Sequence, residues 1–379
     1  MDLASLLSAP FSSIWTILGY IVPFLGVMTF IVFFHEFGHF IVARWCGVKI
    51  EAFSIGFGRE IFGWNDKHGT RWKIAWLPLG GYVKFEGDEN AASVPSKEVR
   101  ESASETSFYG KPLWQRALIV VAGPMANFLL AIAIFSATFM IVGVSVSDPV
   151  VDTVIADSAA AEAGLKPGDR FVSINGQPVK SFMDVRRIVS ARAGEKLTTV
   201  IDRAGRKLTV ILTPRIKEVP DGLGGKTRVG MIGVTHNVSK DAHFERKNPA
   251  EALKMGVEQT WQIVAGTMSY LKKLVAGEAK SDQVAGPIRI AQYTSVAASV
   301  SFAVLVQLAG ILSVSIGLVN LFPVPMLDGG HLLYYLIEAV RGKPLGQSAQ
   351  ELGFKVGLAL VLALMLATTF NDILHLFSS

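Results

Sequence analysis

Four apolar runs dominate this sequence, and each is long enough to cross a hydrocarbon layer, which takes roughly 20 residues. They lie at about 14–43, 117–142, 302–322 and 354–370. The first contains no Lys or Arg, and the fourth only Lys355 near its start. Composition agrees with them: half of the 379 residues are hydrophobic and 18% are charged, against about 25% charged in a soluble domain. Composition argues against a purely cytosolic globular protein and against a disordered chain. Cys46 stands alone, so neither an intrachain disulfide nor a cysteine metal cluster can form.

The runs divide the chain into segments. A first transmembrane helix occupies 1–45, a loop 46–114 and a second transmembrane helix 115–142. A soluble β-rich domain follows at 143–236 and a helical linker at 237–300. The third transmembrane helix takes 301–330, a short loop 331–353, and the fourth helix with its tail 354–379. Orientation follows from flanking basic residues. Residues 1–13 and 371–379 contain no Lys or Arg, whereas 46–114 is rich in them, Arg341 and Lys343 precede the fourth run and Lys355 lies at its start. Both termini are therefore expected outside and both basic loops in the cytoplasm. The missing basic n-region argues against a cleaved signal peptide. The formal net charge of +5 is then a matter of topology, and no nucleic-acid partner is expected.

Within 143–236, Ala163-Gly164-Leu165-Lys166-Pro167-Gly168-Asp169-Arg170 predicts a short helix ending at a glycine and then a turn. Phe171-Val172-Ser173-Ile174-Asn175-Gly176 predicts a strand entering an Asn-Gly turn. This run resembles a PDZ domain of the bacterial protease type. The resemblance implies binding of an extended peptide or C-terminus along a sheet edge, with a steric gate as the other reading. In the linker, Asn248 and Pro249 predict a helix start. Met255, Trp261, Val264, Met268 and Leu271 then fall at helical spacing, for a helix on the membrane or in the core of the outer domain.

Chemistry concentrates at the end of the first run, in His35-Glu36-Phe37-Gly38-His39. Two histidines four apart share a helix face and can reach one metal ion, while Glu36 can hold a water there as general base. Zinc would lower the pKa of that water towards 7. Ionisable groups inside a span are costly, which favours function over accident. A third ligand is expected in Asn320-Leu321-Phe322-Pro323-Val324-Pro325-Met326-Leu327-Asp328-Gly329-Gly330-His331, whose prolines and glycines break the third helix. Asp328 is the candidate and His331 the rival; capping of the following helix is the structural alternative for Asp328. In the second span, Gly123-Pro124-Met125-Ala126-Asn127 reads as close helix packing, with an active-site role for Asn127 the lesser reading.

The two motifs together resemble the site-two protease family of intramembrane zinc metalloproteases. The single PDZ-like insertion and four-span layout resemble its bacterial regulator-of-sigma-E protease branch. The resemblance implies a polytopic α-helical membrane protein with an inserted extracytoplasmic PDZ-like domain and a cytoplasmic-side membrane-associated β-hairpin. It also implies that His35, His39 and Asp328 bind Zn2+, that Glu36 is the catalytic acid/base, and that Asn320 positions substrate. Helix packing is the other role open to Asn320. The implied setting is the bacterial inner membrane, with the active site towards the cytoplasm. The implied substrates are single-span membrane proteins, such as anti-sigma factors or remnant signal peptides.

Arg71-Trp72-Lys73-Ile74-Ala75-Trp76 alternates polar and apolar, and Asn65-Asp66-Lys67-His68-Gly69 is turn material. A hairpin with one face on lipid or protein is expected, either holding an unwound substrate at its edge or making no substrate contact. Two other functions compete: a metal transporter, against which the nearly apolar second and fourth spans weigh, and a non-catalytic scaffold, which leaves Glu36 unexplained.

Overall fold

The computed structural model describes residues 3–87, 104–190, 192–220, 226–236, 242–277 and 285–378. In chain order come α1 (Leu3–Trp45), β1 (Ile50–Asn65), β2 (Arg71–Phe85), α2 (Leu113–Ile141), β3 (Val144–Ser147) and β4 (Thr153–Val154). There follow α3 (Ala159–Glu162), β5 (Arg170–Ile174), β6 (Gln177–Pro178), α4 (Phe182–Ser190), β7 (Leu197–Arg203) and β8 (Arg206–Leu212). Next are β9 (Arg215–Pro220), β10 (Lys226–Met231), β11 (Val234–Thr235), β12 (Ala242–Glu245) and α5 (Pro249–Val275). The chain closes with α6 (Pro287–Val300), α7 (Phe302–Asn320), α8 (Asp328–Arg341) and α9 (Gln347–Ser378). Two compact units result: Met1–Ala137 with Leu253–Met268 and Val284–Ser379, and Thr138–Ala252 with Ser269–Gln283.

In the first unit, four helical stretches are long and apolar enough to cross a membrane: Leu18–Trp45, Leu113–Ile141, Phe302–Asn320 and Gln347–Leu374. At 1.5 Å per residue, even the 19-residue α7 approaches the thickness of a hydrocarbon core. On α9, Leu360, Leu364 and Phe370 are exposed, an apolar outer surface suited to lipid. Small residues bring α1 and α2 together. A Cβ on Gly38 would overlap the Ala122 carbonyl, and one on Gly123 would overlap His39 Nε2, so only glycine permits this approach. Ser313 Oγ of α7 donates to the Asn127 carbonyl of α2 at 2.8 Å, fixing the third helix beside them.

The predicted hairpin is more than a hairpin. Residues 50–55 pair antiparallel with 81–85 on one side and lie alongside 71–74 on the other, while 71–74 also pairs with 62–65. β1 and β2 thus double back to give four strand segments, with 81–85 and 62–65 at the edges. Phe53, Phe40 and Trp72 pack together where α1 meets this sheet. Ile61, Phe62, Trp64 and Trp76 are exposed, apolar side chains suited to contact with lipid.

Asp66 organises the turn between β1 and β2. Its Oδ1 accepts from the backbone N–H of His68 and Thr70 at 2.9 and 3.0 Å, and Oδ2 accepts from Arg44 at 2.5 Å. Burial opposes ionisation of Asp66. The Arg44 guanidinium and these N–H groups outweigh it and hold the carboxyl well below the usual carboxylate range. Its folded-state ionisation therefore lies below that of the unfolded chain. The stabilisation is full above about pH 4 and lost as pH falls through the folded-state value. Asp66→Ala is expected to destabilise the folded chain by about 2 kcal/mol near neutrality and by less in acid. Thermal melts of both proteins from pH 7 to pH 3 check this, and a gap that does not narrow in acid would contradict it.

The second unit is β-rich. β6, β5, β7 and β8 form one antiparallel sheet in that order, and β9–β10, β4–β11 and β3–β12 form pairs. Asn175 and Gly176 both take positive φ (47° and 76°), as the predicted Asn-Gly hairpin requires. α4 turns Val185, Ile188 and Val189 onto Phe171, Ile174, Leu197 and Ile201. Because β12 pairs with β3, this unit extends beyond the expected boundary at 236. Asn248 caps α5 through the Glu251 N–H at 2.9 Å, as expected. Leu253, Val257, Trp261 and Met268 on α5 are exposed, an apolar stripe that suits a membrane surface better than a core.

Candidate metal centre

One turn of α1 places His35 and His39 on the same face. Their rings meet edge to face with centroids 4.9 Å apart, and their Nε2 atoms are 3.4 Å apart. Asp328 reaches them because Pro323 and Pro325 end α7 and force an irregular link. Met326 takes φ 96° within it, and Leu327 is extended before α8 begins. A Cβ on Gly329 would overlap the carbonyls of Leu321 and Phe322, so the first glycine after Asp328 lets α8 start against its own link. No side chain caps α8. The Asp328 carboxylate turns to the histidines instead, with Oδ2 3.2 Å from His35 Nε2 and Oδ1 3.6 Å from His39 Nε2.

These distances test the fit of a metal. A tetrahedral zinc with bonds of about 2.0–2.2 Å separates its ligand atoms by about 3.3–3.6 Å, close to the spacing observed. Asp328 Oδ2 is buried without a hydrogen-bond partner, although His35 Nε2 lies beside it. Buried polar atoms are ordinarily paired, so a carboxylate with an orphaned oxygen, its two oxygens set against two imidazole nitrogens, is the pattern of a ligand set. His39 Nδ1 lies 2.9 Å from the Ile119 carbonyl. Donation there leaves the Nε2 lone pair for a metal. Among the described residues, His35, His39 and Asp328 form the group able to hold an ion; His331 is not in it.

A cavity of about 400 Å³ opens over these atoms. Glu36, Asn320 and His331 line it with the three donors, and so does the edge strand through Gly81, Tyr82 and Val83. Gly81 sits against the Glu36 side chain, and Val83 lines the cavity with it. All the residues singled out in the two motifs thus share one cavity. Asn127, for which the sequence favours a packing role, is fully buried and meets the site, with Nδ2 3.3 Å from His35 Nδ1. The signal for it was an amide inside an apolar span.

Two of these donors lie on a helix apolar enough to span a bilayer and the third follows the break after another, an arrangement suited to a membrane-embedded metal site. The family model described as Peptidase family M50 matches residues 23–364. The chain belongs to that family, the site-2 protease family of zinc metalloproteases. A protein of Agrobacterium fabrum named "Putative zinc metalloprotease Atu1380" is 49% identical, with 94% of this chain and 96% of the relative covered. "Metalloprotease MmpA" of Caulobacter vibrioides is 39% identical, with 93% and 95% covered. Among solved structures, the PDZ domain of an SdrC-like protein from Listeria monocytogenes is similar to 24% of this chain and 90% of its own length. Its identity is 19% and its TM-score 0.19. The chain is a multi-pass, zinc-dependent peptidase by family.

Proposed function

We propose that this protein is an intramembrane endopeptidase that cuts single-span membrane proteins within or near their spans, with His35, His39 and Asp328 as its zinc ligands. The carrying observation is the convergence of these donors with Glu36 in one cavity bordered by a strand edge. Zinc held there supplies Lewis-acid polarisation of the scissile carbonyl and a water that ionises near neutral pH. Glu36 takes the proton of the attacking water and returns it to the leaving amine nitrogen. Asn320 holds the peptide by its side-chain amide. A helical substrate must unwind first, because its carbonyls are hydrogen-bonded and shielded, and the 81–85 edge receives the extended segment as an added strand. Anti-sigma factors and remnant signal peptides have the required single-span form. The basic loops support a cytoplasmic-side active site in a bacterial inner membrane, with both termini and the PDZ-like segment on the outer side. That segment either captures a peptide or gates entry.

Cleavage of a single-span test protein by the purified chain in detergent is expected to stop on chelation and return with added zinc. Persistence in metal-free protein would refute the reading. Asp328→Ala is expected to lower zinc affinity at least tenfold, checked by chelator competition. Unchanged affinity would remove Asp328 from the ligand set.

A further inference from the structure

The structure leaves one amide at the metal centre unexplained. Asn127 of α2 is fully buried, its Nδ2 faces His35 Nδ1 at 3.3 Å, and its Oδ1 has no hydrogen-bond partner. A half-turn of the carboxamide exchanges Oδ1 and Nδ2 without moving any other group. The two orientations have opposite consequences for His35. With Nδ2 towards the ring, Nδ1 accepts, and the neutral imidazole carries its proton on Nε2, the atom that faces Asp328. With Oδ1 towards the ring, Nδ1–H donates and Nε2 keeps its lone pair. Either orientation leaves one amide atom unpartnered, so counting hydrogen bonds does not choose between them. A ligand set does, because a protonated Nε2 cannot bind a metal.

We infer that Asn127 is a positioning residue for zinc, accepting the Nδ1 proton of His35 through Oδ1 and so fixing the tautomer that ligates. This rests on His35 being a zinc ligand. The assignment completes a pattern on α2. Its Ile119 carbonyl sets the tautomer of His39, and Asn127, two turns further on, sets that of His35. His39 can use a backbone acceptor because Gly123 lets its ring approach α2. His35 meets that helix at a side chain. Ser313 anchors the Asn127 turn through the backbone carbonyl and takes no part in the choice of tautomer.

The test measures zinc affinity of the full chain in detergent by competition with a chromogenic chelator, with helicity followed by circular dichroism. Asn127→Leu keeps the volume and removes the acceptor, and is expected to weaken zinc about 10–100-fold. Asn127→Asp keeps an acceptor and is expected to stay within about threefold of wild type, as a carboxylate–histidine pair does at other zinc sites. Ser313→Ala, which loosens the same turn, should also leave affinity within about threefold. Wild-type affinity in Asn127→Leu overturns the assignment, as does an Asn127→Asp protein that folds yet binds as weakly as Asn127→Leu. If Asn127→Asp does not fold, Asn127→Leu is judged against Ser313→Ala, and equal affinities overturn the assignment. A wild-type chain that binds no zinc would overturn the ligand set itself, an outcome distinct from normal wild-type binding with an unaffected Asn127→Leu.

Discussion

Glu36→Gln is expected to keep its zinc and to lose cleavage of a single-span test protein by about 10²–10⁴-fold. The substitution leaves the three donors untouched, since Glu36 is outside the group of His35, His39 and Asp328. Glutamine fills the same space against Gly81, so the wall of the cavity should stand. It cannot take a proton from water or return one to the amine. The separation of binding from turnover is the point of the measurement, with zinc content read on the same sample as cleavage. Undiminished cleavage would end the proposed role of Glu36. Loss of zinc together with cleavage would make it a structural carboxylate. A metal carrier would show the opposite behaviour, with zinc flux into proteoliposomes that needs no general base.

What the sequence made legible follows how local each determinant is. His35, Glu36 and His39 could be placed because four residues are about one turn of helix, and the apolar run left no other secondary structure for them. The Asn175–Gly176 turn was legible for the same reason, since positive φ at consecutive residues is a local demand. Asp328 stayed ambiguous, as an acidic residue before a helix serves equally as cap or ligand until its partners across the fold are known. α6 lies inside the helical linker expected at 237–300, but its boundaries and its cap are not legible there. Its N-cap is Gly286, which offers no side-chain acceptor, and its first N–H groups are satisfied by Asp372 of α9, from Gly286 at 3.0 Å and from Ile288 and Arg289 at 3.1 Å. A cap supplied 86 residues away leaves no trace in the local pattern. The doubling of β1 and β2 was hidden similarly, because alternation shows which residues share a face but not which segments become neighbours.

Gly123→Ala is the substitution for which local and tertiary expectations differ most sharply in sign. In an isolated helix it should stabilise, as alanine is favoured over glycine by about 1 kcal/mol. Here the added methyl would overlap His39 Nε2. The ring has little room to yield, being held on one side by the Ile119 carbonyl and set edge-on to His35. Either α2 moves away from α1, which separates Ile119 from His39, or the ring turns out of the cavity and takes its lone pair with it. Both routes degrade the site without altering a ligand. Zinc affinity is expected to fall at least tenfold, the range found when a ligand's orienting partner is disturbed, and cleavage to fall with it. Far-UV helicity should stay at the wild-type level, because the change itself favours helix. Chelator competition and circular dichroism on one preparation decide the matter. Wild-type zinc affinity in a fully helical Gly123→Ala protein would mean that α1 and α2 are not held at this distance, and that the Ile119 carbonyl does not orient His39.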